Sequence, residues 1–234
     1  MTTNAPADAE TSPATTPVPP PRRSHPVRNS LLLGTGALLL LGGGVFAVAD
    51  ATRHHETTSF SASAVHEVVV DIDAGSVTLL PGVGSEVHVT TTRDWSFRPA
   101  TAGHHIDNGV LTITGDCPAF GFGCGTSERV TVPAGIAVRV TTGAGRVVAT
   151  NLDVASFHTD TGAGTVNASF TGAPTDIRAT TGAGNVQLSV PAGSYRVDTD
   201  TGIGEVNVGV TQADDAPSRI VAETGAGQID IRGS

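Results

Sequence analysis

The sequence predicts an all-β protein: a parallel β-solenoid of ~20-residue coils, preceded by a disordered tail and one transmembrane helix. Three observations carry this expectation. The first is a phrase repeated five times, in which Thr-Gly-Ala-Gly or a close copy sits between two β-type runs. The copies read VRVTTGAGRVVA, FHTDTGAGTVNA, IRATTGAGNVQL, VDTDTGIGEVNV and IVAETGAGQIDI, their first glycines 19, 20, 20 and 23 residues apart. The second is an uncharged run of nineteen residues at 31–49. The third is composition: aromatics make up 4% of the chain, while Val, Ile, Thr and Ala abound. Such side chains fill a narrow, strand-lined interior.

Residues 1–30 hold seven prolines and no apolar periodicity, which reads as a disordered cytoplasmic tail. Arg22, Arg23 and Arg28 close it. Residues 31–49 would span ~28 Å as a helix, about one bilayer core. Arginines before the segment and Asp50 after it place the N-terminus inside and the remainder outside. The competing reading is a signal segment cleaved after Ala47-Val48-Ala49, which would make the protein secreted. Both readings export residues 50 onward. Residues 50–61 then read as a polar linker and 62–234 as the extracellular repeat domain. The only cysteines, Cys117 and Cys124, lie in CPAFGFGC. In an oxidising compartment that pair closes a disulfide loop.

Strand alternation assigns the faces of each repeat. Val147, Val166, Val186, Val206 and Ile229 should point inward in one row, and Val138, Phe157, Ile177, Val197 and Ile220 in another, with successive coils ~4.8 Å apart. Thr142, Thr161, Thr181, Thr201 and Thr224 should form an inward ladder with every hydroxyl paired. The paired glycines are Gly143 and Gly145, Gly162 and Gly164, Gly182 and Gly184, Gly202 and Gly204, and Gly225 and Gly227. They serve corners that need positive φ or close approach of neighbouring coils. DIDAGSVTLL from Asp71 reads as a degenerate earlier copy. Between Val83 and Arg129 the period is lost, although EVHVTTT and GVLTITG still read as strands. That stretch, with Trp95, His104 and His105, is expected to cover an end or side of the stack.

Candidate chemistry is sparse. The formal charge is −9 with no lysine, which excludes a basic nucleic-acid footprint. Each glycine phrase leads into a strand, never into a helix that could hold phosphate, so no nucleotide cofactor is expected. Asp160 and Asp200 should lie two coils apart, ~9.6 Å, on a solvated face. That is near the upper separation for an inverting glycosidase, but nothing there would tune either acid. No catalytic group, cofactor or metal site is expected. The pairs His54-His55 and His104-His105 lack further zinc ligands, and the calcium nonapeptide pattern is absent. Phe120 and Phe122, inside the stapled loop, are either a contact patch or a lid on the repeats.

The V-x-T-x-T-G-A-G-x-V cadence behind an N-terminal apolar segment resembles the bacterial putative-adhesin family of Gly/Thr-rich β-repeat ectodomains, a domain of unknown function. The resemblance covers roughly residues 65–234. It implies an exported β-repeat domain of the cell envelope and transfers no functional residue. The function expected is a non-enzymatic, membrane-anchored, adhesin-like domain binding an envelope protein or glycan. A regulatory ectodomain acting through a membrane partner is the alternative, and a polysaccharide-active enzyme is third.

Overall fold

The computed structural model describes residues 53–118 and 123–234. The expected tail and apolar segment lie outside these residues, as do Phe120 and Phe122. In chain order the strands are β1 (His54–Ala62), β2 (Glu67–Pro81), β3 (Val87–Trp95), β4 (Thr101–Asp107) and β5 (Val110–Asp116). Next come β6 (Gly125–Val132), β7 (Ala137–Leu152), β8 (Ser156–Phe170), β9 (Asp176–Ala183) and β10 (Val186–Val190). The series closes with β11 (Ser194–Ile203), β12 (Val206–Gly209), β13 (Thr211–Gln212), β14 (Ser218–Ala226) and β15 (Ile229–Gly233). Among the described residues no helix is long and apolar enough to cross a membrane.

The described residues are all-β, but the solenoid expectation is corrected. The strands form one open, mixed sheet of 15 strands. Pairing is parallel among the repeats and antiparallel where β3 joins β1 and β6 and where β4 joins β5. The physical reason lies in the repeat length. About twenty residues supply two strand legs and two turns, with no third side to close a coil. Each repeat therefore pairs edge to edge with its neighbours, and the sheet bends at the glycine corners.

Register within the repeats is strict. Gly75 pairs with Gly145, and Gly145 with Gly164, so the degenerate copy at Asp71 is a true member of the series. The inward rows are as expected for most repeats: Val147, Val186 and Ile229 are fully buried, as are Phe157, Ile177 and Ile220. Both legs contribute to one continuous apolar core. The order of repeats departs from the sequence. β14 lies between β9 and β11, so the fifth glycine phrase sits between the third and fourth. Likewise β15 pairs with both β10 and β12. The fourth repeat is consequently at an edge of the sheet, although it is fourth of five in the chain.

The irregular stretch covers the opposite end. β5 and β6 lie against β2 as one more layer, β5 along its first leg and β6 along its second. β4 and β3 then add antiparallel, and β1 pairs with β3. β1 thus occupies residues that the sequence reading assigned to a linker.

Candidate binding surfaces

The corner glycines divide two tasks between them. The second of each pair holds positive φ, as at Gly184 (φ 143°), whereas Gly182 is not in that region. A Cβ on Gly182 would lie 2.5 Å from the Gly162 carbonyl oxygen, and one on Gly184 would collide with the carbonyl oxygen of Gly164. Neighbouring backbones are therefore in contact at every such corner, and the corners cannot carry functional side chains at these positions.

The threonine ladder faces inward as expected, but its hydrogen bonding does not follow the expectation. Thr224 Oγ1 donates to the Gly184 carbonyl at 3.0 Å. The hydroxyls of Thr142, Thr161, Thr181 and Thr201 have no partner. The alternating main chain spends its carbonyls on the parallel ladder, leaving few acceptors within reach of a short side chain.

On the first legs, Thr141, Asp160, Thr180, Glu223 and Asp200 form one outward row by strand register. Beside it run Arg139, His158, Arg178, Val221 and Asp198. The expected spacing of Asp160 and Asp200 is corrected: three strand steps separate them, ~14 Å, because Glu223 intervenes. His158 Nε2 lies 2.5 Å from Asp176 Oδ2, and Arg219 Nη2 donates to Asp198 Oδ2 at 2.9 Å. Charges of both signs are thus partly paired along an open face, which carries a shallow 310 Å³ depression.

The second legs present a different chemistry. Val148, Asn167, Gln187, Asp230 and Asn207 form their outward row. A shallow 330 Å³ depression there is lined by Thr150, Asn167, Ser169, Gln187, Ser189 and Arg232, among others. Amides and hydroxyls dominate, with no aromatic ring. Such a face can offer many weak hydrogen bonds and no deep pocket.

Cys117 and Cys124 are disulfide-bonded. The Cys117 backbone N–H donates to Asp73 Oδ2 at 2.9 Å, which pins the start of the loop beside β2. The histidine pairs do not converge. His54 stacks on Trp95, His104 on Phe60, and His55 Nδ1 lies 2.8 Å from Asp94 Oδ1. Among the described residues no three His, Cys, Asp or Glu side chains are grouped as for a metal ion.

One acid escaped the sequence reading. Glu128 is buried on β6, between Val77 of β2 and Thr91 of β3. Thr91 Oγ1 donates to its Oε2 at 2.6 Å, while Oε1 has no partner. Burial raises its pKa above the usual carboxylate range, and the Thr91 hydrogen bond only partly offsets this. The signal was available: in TSERVTV, Glu128 shares parity with Thr126, Val130 and Val132, all buried.

Comparison with known proteins supports the fold. No family model matches the chain, and no curated protein matches it. Among solved structures, a putative cell adhesion protein from Clostridium sporogenes superposes with a TM-score of 0.60 at 12% identity, covering 77% of this chain and all of that one. A putative adhesin from Bacteroides fragilis gives 0.32 at 8% identity, covering 77% of this chain and 97% of its own. One from Parabacteroides merdae gives 0.31 at 9%, covering 77% and 94%. The chain thus shares its fold with the Clostridium sporogenes protein, at an identity that carries architecture and not residue roles.

Proposed function

We propose that the domain is a non-enzymatic, adhesin-like binding module, held outside the cell by the apolar segment at 31–49. The observation that carries this reading is the pair of long, shallow outward rows, one charged and one amide-rich, running across the repeats. Small-molecule and catalytic sites are concave, with convergent polar groups. Rows of this kind suit an extended or flat partner, such as an envelope protein or a glycan chain. The adhesion name of the Clostridium sporogenes neighbour agrees with it.

The test is retention of the purified full chain, in mild detergent, on immobilised cell-envelope material and on glycan arrays. We expect saturable retention without turnover, reduced several-fold by Asn167→Arg together with Gln187→Arg. Reproducible hydrolysis of a glycan, or retention indifferent to substitutions on both faces, would overturn the proposal.

A further inference from the structure

The two ends of the sheet are finished differently. The β1 end is covered by antiparallel strands, whereas β11 and β12 end the repeat series without cover. β11 has β14 on one side and, on the other, only β13 against Ser194 and Tyr195. β12 pairs with β15 alone. Positions that are inward elsewhere are open here. Val206 is 40% exposed, while its equivalents Val147, Val186 and Ile229 are fully buried. Thr199 is exposed, although it pairs with Ala222, which is fully buried.

This same repeat departs from the others in two ways. Its glycine phrase carries Ile203 where the other four copies carry alanine, and Ile203 is 77% exposed. Its charge is acidic overall: between residues 194 and 217, Arg196 stands against Asp198, Asp200, Glu205, Asp214 and Asp215, of which Asp198 is paired with Arg219 of β14. A long uncovered edge with apolar core positions invites another strand, and charge decides which strand can come.

We propose that this edge binds an extended, cationic polypeptide segment of another protein, which adds as a further strand along β11 and β12. This deepens the binding role proposed above and rests on it. Small or β-branched residues of the segment cover Val197, Thr199 and Val206, and its basic residues lie opposite Asp200 and share Asp198 with Arg219. Ile203 supplies apolar contact at the corner. A second copy of the chain is disfavoured, because it would set these carboxylates directly against themselves. The acids thus block self-pairing and select a partner of opposite charge.

The probe is a peptide copying residues 195–208 with Asp198→Lys, Asp200→Lys and Glu205→Lys, and the control is the unaltered copy. Binding to the full chain in mild detergent is read by fluorescence anisotropy at two salt concentrations. The lysine peptide should bind at least about tenfold tighter than the control, ~1.4 kcal/mol, and weaken as salt rises. Val206→Lys in the full chain, at an already open side chain, should lose that advantage. Asp198→Lys with Asp200→Lys should reverse the preference. Equal affinities for the two peptides, or binding indifferent to Val206→Lys, would overturn the inference. So would concentration-dependent dimerisation abolished by Val206→Lys, which would give the edge to a second copy. If the peptides fail while envelope retention persists, this inference falls and the adhesin-like reading stands.

Discussion

Glu128 is a buried acid with only half of its carboxylate hydrogen-bonded. One carboxylate oxygen accepts from Thr91 and the other has no partner in a buried setting. A buried polar group left unpaired costs about 1–3 kcal/mol. Because burial raises the folded-state pKa, at pH values between the unfolded and folded pKa the folded protein holds a proton there that the unfolded chain has released. The stability linked to this group is fully present below the unfolded carboxylate range, near pH 4. It is lost as pH rises through the raised folded value. Glu128→Gln should therefore flatten the fall in stability between pH 4 and pH 7, with the variant gaining on wild type as pH increases. Urea denaturation at several pH values checks this, and parallel pH profiles for the two proteins would contradict it. The unpaired threonine hydroxyls are a smaller case of the same kind, spread over several repeats.

At the scale of strands and corners, glycine requirements differ by position. Gly184 combines positive φ with a neighbouring backbone that leaves no room for Cβ, whereas Gly135 has positive φ (79°) and nothing within 4 Å. Gly135→Ala should cost only backbone strain, about 1 kcal/mol. Gly184→Ala should cost at least about 3 kcal/mol, because the Gly164 carbonyl must also move. Thermal melts of the two variants side by side separate strain from collision, and equal shifts would contradict the contact. These corners were legible in the sequence as a cadence, as were the inward valine rows, β3, β5 and the disulfide loop. Other elements were not read. Asn108-Gly109, both at positive φ, makes the tight turn between β4 and β5, an antiparallel hairpin signal that lies outside the repeat cadence. β1 was hidden because HHETTSFS is polar on both faces, its pairing with β3 being made at an exposed edge.

For the molecule as a whole, chain order is an unreliable guide to spatial order, and this was not legible at all. Period and phase are the same whether the fifth repeat follows the fourth or slips between it and the third; only the longer 23-residue step, with Asp214-Asp215-Ala216-Pro217 inside it, gave room for the return. That interleaving yields a prediction that a sequential stack would not make. Truncation after Gln212 removes β14 and β15, hence Ile220, Ile229 and Ile231, all fully buried. At ~1.5–3 kcal/mol for each such side chain, the loss approaches the whole stability of an ordinary domain, ~5–15 kcal/mol. It also strips β12 of its pairing partner and leaves β11 only the short β13. Excision of 194–212 instead removes the uncovered edge, where Val206 is half-exposed, Val197 and Val208 are only partly buried, and Tyr195 alone is fully buried. The excised chain should keep a cooperative melt and protected amides in β7–β9, β14 and β15. The truncated chain should lose protection well beyond the residues deleted, including 194–209. Hydrogen exchange on the two shortened proteins decides between the arrangements, and a truncation milder than the excision would show that the fifth repeat does not lie inside the sheet.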